Sequence, residues 1–426
     1  MRLPRHVLDA MVLQGVGSFA VLACTILLAR AAGPEIQGVF NTLKAEIDLL
    51  TALMIVGMPQ ALFFFLQKKL ISSARVLRIT LVQSALAMST VVSFRVWFRP
   101  VDVSLAQSLT TSALIGLAVA ALLIQGNFRA TLLATHSSRS FGFISALPGV
   151  LLLGFLLLSI SVAPIRLTGS ITVFAGVFAC AYLIAALMSI AMSLTGQRPD
   201  DVSDAARLRA LLAYGISNCV PSILQSLCVV YVLYSIRTQL TDAAAVGVFS
   251  AALFTLAVGL TPLNYLIPLL FKYWISLSND SRVRDLGLAV RVAAAVALIV
   301  AALAWIFERP VVDGVLGDKY LAYGNIFALL ALSFFPQAIG RLLSVLFNSV
   351  GRPAVAIIGE AARTATLVTG VYALRHTSVH MMAVVWVLSD FVGLGVNWIV
   401  VRWVVSQPAR KSEVGDSLVE LRRSNS

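Results

Sequence analysis

Nine ionisable side chains lie inside long apolar stretches of this chain: Arg30, Lys44, Glu46, Asp48, Arg129, Arg341, Glu360, Arg363 and Asp390. A charge buried without a partner costs several kcal/mol, so each must meet a counter-charge, a polar ligand or an interface. The cations Arg30, Lys44, Arg129, Arg341 and Arg363 could together hold an anion. Arginine suits a phosphate or carboxylate because it stays charged and donates two parallel hydrogen bonds. The carboxylates Glu46, Asp48, Glu360 and Asp390 could take up a proton or a sodium ion. Lys44 and Asp48, four residues apart, share a helix face and predict an internal pair, while Glu46 lies almost opposite. Glu360 and Arg363, three apart, are either a buried structural pair or a functional one. Asp390 has no neighbour of opposite sign along the chain, which makes it a candidate ion site, with a helix cap or an interhelical hydrogen bond as the alternative. Arg30 closes the first apolar run, where it either snorkels to an interface beside a helix C-terminus or faces a ligand. Arg129 and Arg341 precede the loop arginines Arg139 and Arg352 by ten or eleven residues, about 16 Å along a helix, and either face each other across a cleft to take an anion or snorkel to the cytoplasmic interface or satisfy carbonyls at a kinked helix end.

Composition supplies the elements that carry these residues. With 59% hydrophobic residues, 12% charged residues and a mean hydropathy of +0.92, the 426-residue chain reads as an integral membrane protein. Twelve apolar runs, at about 8–32, 38–66, 77–98, 108–134, 141–163, 170–195, 211–236, 244–271, 285–307, 324–348, 354–374 and 381–404, can each cross a ~30 Å hydrocarbon core as a helix. The first, too long for a secretory signal and lacking a small-x-small cleavage site, reads as a retained helix. The longest connections, 197–209, 273–284 and 308–323, are too short to bury a core, which excludes a soluble catalytic domain.

The net charge of +13 could suggest nucleic acid, but its distribution points elsewhere. With the first residues inside, eighteen Lys and Arg fall in loops on that side and six in the opposite loops, the positive-inside pattern. Both termini are therefore expected in the cytoplasm, and the basic charge acts as a topology signal and an anchor to anionic membrane lipids, with no nucleic-acid partner. Cys24, Cys180, Cys219 and Cys228 lie in the spans without metal-ligand spacing, and His376 and His380 read as residues of a short outer turn, so no metal or cofactor is expected. There is no Walker-type loop to indicate ATP as the energy source.

The chain repeats itself at half its length. GVF at 38–40 recurs at 247–249, MPQALFFFLQKK at 58–69 has a counterpart in NYLIPLLFKYW at 264–274, and QGNFRATLLATHSSRS at 125–140 matches QAIGRLLSVLFNSVGRP at 337–353 in layout. Each half holds six spans, so the halves enter from the same side as parallel repeats. The expected architecture is all-α: a polytopic membrane protein of twelve transmembrane helices in two pseudo-symmetric six-helix bundles around a central cleft. The bundles are placed at 1–197 and 211–405, with a cytoplasmic linker and short amphipathic helix at 198–210 and a cytoplasmic tail at 406–426. Kinks are expected at Gly57 with Pro59 and at Pro336 with Gly340, and the aromatic runs Phe63-Phe64-Phe65 and Trp97-Phe98 read as interfacial belt or packing.

The stretches LARAAGPEIQGVF, PQAL at 59–62, LLAYGISNCVPS, LGDKYLAYGNIFALLALSF and FNSVGRPAV resemble the polysaccharide (O-antigen type) flippases of the multidrug/oligosaccharidyl-lipid/polysaccharide exporter superfamily, over nearly the whole chain. The resemblance implies a substrate built of an oligosaccharide repeat unit on a polyprenyl pyrophosphate lipid. It also implies movement from the inner to the outer face of a bacterial cytoplasmic membrane for lipopolysaccharide O-antigen or exopolysaccharide synthesis, with a polysaccharide polymerase and assembly proteins as partners. The stretch 228–237 lacks the acidic or amide residue that many relatives carry in the first helix of the second half, which leaves the coupling ion open. A drug or metabolite exporter of the same superfamily is the alternative, and would favour a smaller, more apolar or acidic cavity. A membrane glycosyltransferase or polymerase would need a larger outer loop than 308–323.

Overall fold

Within lipid the backbone has no water to bond, so apolar segments must satisfy their own amides, and the described residues form helices throughout with no strand. The structure is a computed structural model, and it describes residues 5–67, 70–98, 105–135, 138–162, 170–194, 208–240, 242–275, 277–323, 325–350, 352–374 and 377–406. The helices are α1 (Arg5–Ile55), α2 (Met58–Gln67), α3 (Ser73–Trp97), α4 (Leu105–Thr135), α5 (Ser138–Val162), α6 (Ile171–Leu194) and α7 (Leu208–Gln239), followed by α8 (Ala243–Gly259), α9 (Thr261–Ile275), α10 (Asn279–Val315), α11 (Ile326–Ala331), α12 (Phe334–Ser349), α13 (Ala356–Ala373) and α14 (Val379–Ser406).

These make twelve passes, because one helix is a hairpin and three passes are broken. In α1, Gly33 takes φ 81°, a left-handed conformation natural to glycine, and Pro34 opens the second leg, where its missing N–H is no loss. The chain turns back there: Gln37 Nε2 donates to the Thr25 carbonyl at 3.4 Å, although the same twelve residues of straight helix would span about 18 Å. The second pass breaks between α1 and α2, the eighth between α8 and α9, and the tenth between α11 and α12. The expected kink at Gly57 falls on the first break, and Pro336 sits in the first turn of α12 just after the third. The break at Leu260 was legible only as the Gly259 and Pro262 that flank it.

The carbonyls freed by such interruptions are met by amide side chains. Gln83 Nε2 donates to the carbonyls of Met54 and Ile55 at 2.8 and 2.9 Å, and is itself held by Asn127 Nδ2 at 3.0 Å. Pro148 cannot donate to Ile144, and Gln125 Nε2 takes that place at 2.9 Å. Two stretches expected as connections are partly helical, since α10 runs from Asn279 to Val315 and absorbs much of 273–284 and 308–323. Most of the expected linker and its amphipathic helix, and the tail from 407, lie outside the described residues.

Helices α1 to α6 pack among themselves, as do α7 to α14, and the two groups meet through α1 against α7, α8 and α9 and through α2 against α7. Glycines make this seam possible. Near the Gly33 turn, a Cβ on Gly38 would lie 3.0 Å from the Gly247 nitrogen, and one on Gly247 would overlap the Pro34 carbonyl. The glycines that begin the repeated GVF thus face each other. Toward the face where α1 begins, Gly57 at φ 61° packs so closely on Gly215 that a Cβ on either would overlap the other segment's backbone. Phe63 and Phe271 approach with ring centroids 6.3 Å apart, and Phe64 stacks on Tyr214 at 5.1 Å. The Phe63-Phe64-Phe65 run is packing, while Trp97 and Phe98 are exposed at a helix end.

Candidate functional site

The passes of the second bundle line a polar cavity of about 260 Å³. Its walls come from α7, α9, α12, α13 and α14, with Gln60 of α2 as the contribution of the first bundle. Arg341, Glu360, Arg363 and Asp390 line it together with six side-chain amides, and none of the lining residues is aromatic.

Arg363 organises the charges. It is 5% exposed, Asp390 is 3% exposed, and the guanidinium Nε donates to Asp390 Oδ1. Its Nη1 lies 3.4 Å from Glu360 Oε2, and its face lies 4.9 Å over the Trp386 ring. Gln337 Nε2 donates to the other Asp390 oxygen at 3.0 Å. Asp390 is therefore not solitary as its sequence neighbourhood suggested: its counter-ion comes from the adjacent pass, which no local spacing could reveal. Helices α13 and α14 come close enough for this because of Gly359 and Gly393; a Cβ on Gly393 would lie 2.9 Å from Arg363 Cβ. Arg341 is met by a neutral group, Asn264 Oδ1 on α9, the half-helix after the eighth-pass break.

The remaining candidates lie elsewhere. Lys44 Nζ pairs with Asp48 Oδ2 at 2.6 Å, as their spacing predicts, and Glu46 pairs with Arg95 of α3, a partner sequence reasoning missed although it is a cation in the last turn of a neighbouring span. Arg129 is exposed, with its guanidinium 5.7 Å over the Phe141 ring, and does not line the cavity that Arg341 lines.

Arg30 has a different task again. Its Nε donates to the Val315 carbonyl at 2.9 Å and its Nη2 to the Gly314 carbonyl, so it caps the C-terminus of α10 across the seam. Around it, Tyr320 donates to Gln37 Oε1, and Asn41 Nδ2 donates to Ser250 Oγ at 3.0 Å. Tyr323 donates to Asp242 Oδ2 at 2.8 Å, and burial followed by that carboxylate pushes its phenol up to about 12, so the proton stays in place at neutral pH. Arg30→Ala is expected to loosen this end of the seam, seen as several-fold faster maleimide labelling of a single cysteine placed at Ser250. An unchanged rate would leave Arg30 as a simple interfacial anchor.

Helices of this number and arrangement occur in solved membrane transporters. An outward-facing multidrug resistance MATE family transporter of the MOP superfamily aligns with a TM-score of 0.68 at 17% identity, over 94% of this chain and 95% of its own. A MATE protein in complex with MaD3S aligns at 0.71 and 15% identity, over 94% and 96%. A MOP superfamily transporter from Pyrococcus furiosus, whose binding pocket of reverse polarity is described as suggesting a different function, aligns at 0.69 and 15% identity, over 94% and 95%. No protein-family model and no curated protein matches the sequence. The shared property is the fold, a twelve-helix membrane protein in two lobes.

Proposed function

We propose that this protein moves a lipid-pyrophosphate-linked oligosaccharide repeat unit across the bacterial cytoplasmic membrane by alternating access, with the face that carries the chain ends in the cytoplasm. The fold shared with MATE transporters supports a transport role, and the resemblance of the sequence to polysaccharide flippases supports the cargo.

The chemistry of the cavity wall carries the reading. Gln60, Asn218, Gln225, Gln337, Asn348 and Asn397 present both donors and acceptors, the groups that replace water around sugar hydroxyls. A cavity for lipophilic drug cations would be expected to offer aromatic faces, and this wall has none among the described residues. Arg341, bonded to an amide and not to a carboxylate, is left with charge to offer a phosphate. At about 260 Å³ the cavity falls below the roughly 300–1,000 Å³ of most ligand sites, so the bundles must part along the glycine seam to admit cargo.

Arg341 supplies the test. In cells whose own gene is deleted, Arg341→Lys should export less surface polysaccharide than wild type and Arg341→Ala less again. The alanine loss is expected at about ten- to a hundred-fold, from the ~1.5–3 kcal/mol of a charge-assisted hydrogen bond. Lipid-linked repeat units should accumulate on the inner leaflet while protein abundance stays normal. Full export by the alanine variant would remove the anion role of Arg341. Drug sensitivity on deletion, with unchanged polysaccharide, would favour the drug or metabolite exporter that the MATE-like fold also accommodates.

A further inference from the structure

We propose that Arg363 is a built-in counter-ion occupying the place an alkali cation would otherwise take in the second bundle, so that this cavity does not bind sodium. The inference rests on the ion network alone and is independent of which cargo the cavity accepts.

Every candidate ion-coupling carboxylate inside the spans is matched by a cation of the chain itself. Asp48 has Lys44 at 2.6 Å, Glu46 has Arg95, and Glu360 and Asp390 share Arg363. Two further acidic groups are engaged at helix starts: Glu308 accepts from the backbone of Phe327 and Ala328 at 3.0 and 3.1 Å, and Asp242 from Ala244 and Ala245 at 3.0 and 3.1 Å. A sodium ion needs several oxygens converging on one point that no resident cation already holds. At Asp390 both oxygens already accept hydrogen bonds, one from Arg363 and one from Gln337. Glu360 faces the same guanidinium.

The surroundings are shaped to this guanidinium. Trp386 lies under its face, and Gly393 leaves space for its stem. Arg363 Nη2 is buried without a hydrogen-bond partner, so the side chain retains a donor beyond those its two carboxylates use. Arg341, the other cation of the cavity, brings the local formal charge of two carboxylates and two guanidinium groups to zero. A further cation would enter a site that is already neutral.

The test uses purified full-length protein in lipid nanodiscs, with unfolding midpoints compared in sodium chloride and potassium chloride of equal ionic strength. Wild type is expected to show no difference, and a saturable sodium-specific rise would overturn the proposal. Arg363→Gln removes the resident charge but leaves both carboxylates, so it should gain a sodium-specific rise of several degrees, and adding Asp390→Asn should abolish that gain. A stable Arg363→Gln variant indifferent to sodium would show that Arg363 holds no cation seat. Should that variant fail to accumulate, equilibrium binding of radioactive sodium to wild type decides the matter. No binding supports the proposal, and saturable binding lost in Asp390→Asn overturns it. Neither readout measures transport, so the outcome is separate from that of the Arg341 experiment.

Discussion

Asp390→Ala should destabilise the protein by about 3–5 kcal/mol. The substitution would leave Arg363 buried, with the loose 3.4 Å contact to Glu360 and the Trp386 ring as its remaining neighbours and with Nη2 still lacking a partner. Desolvating a guanidinium is expensive, and here the expense is offset almost entirely by the carboxylate that would be lost. The side chains of the pair are 6% and 1% exposed, so both are shielded from bulk water. Asp390→Asn, which keeps an acceptor for Arg363, should lie between wild type and alanine. Replacing the network together, with Arg363→Met, Asp390→Leu and Glu360→Gln, should recover much of the loss, because the buried Arg363 charge leaves with its partners and Arg341 keeps its bond to Asn264. Unfolding midpoints in a fixed detergent and lipid mixture would measure all three. A loss under about 1 kcal/mol for Asp390→Ala would mean that the triad is wetter and weaker than its geometry implies.

The second large effect is conformational. Gly247→Ala places a methyl group on the Pro34 carbonyl, an overlap that neither backbone can absorb locally. The bundles must separate at the Gly33 end, and the closed arrangement there should become the minor state. Gly215→Ala, which drives a methyl into the Val56 carbonyl, should act in the opposite sense by opening the seam toward the face where α1 begins. That end is already strained, since Val56 is held at φ 47°, an unfavourable conformation for a β-branched residue. Single cysteines report the two ends: one at Ser250, bonded to Asn41 in the closed seam, and one at Phe63, packed against Phe271. Gly247→Ala is expected to raise maleimide reactivity at position 250 by ten-fold or more, on the order of 1.4 kcal/mol of population shift, while position 63 stays protected. Gly215→Ala should show the reverse. If both cysteines keep wild-type reactivity in both variants, the glycine contacts do not hold the bundles together and the alternating-access proposal loses its hinge surfaces.

These expectations draw unequally on sequence and structure. Helix number, placement and the two-bundle plan were legible because lipid admits so few backbone solutions: an apolar run of about 20 residues has little choice but to span. The repeat could be read because the two halves keep glycines at matched positions, and Gly38 and Gly247 prove to be the contact surface between those halves. The Lys44 and Asp48 pair was legible for a local reason, since residues four apart on a helix are neighbours whatever surrounds them.

Beyond that local range the sequence is silent about partners. Asp390 read as a solitary acid until Arg363, 27 residues away, was found beside it. Glu46 read as a possible ion site until Arg95 of α3 was found to pair with it. Arg30 read as an interfacial side chain or a ligand contact, yet it closes the end of a helix 284 and 285 residues further along. Arg129 and Arg341 occupy matched positions in the repeat, but one is exposed beside Phe141 and the other lines the cavity. The physical reason is common to all four. Burial in lipid dictates that a segment becomes a helix and that its charges must be compensated, but which charge compensates which depends on the rotation and approach of helices distant in sequence. That choice belongs to the packing of α1 against α8 and of α13 against α14.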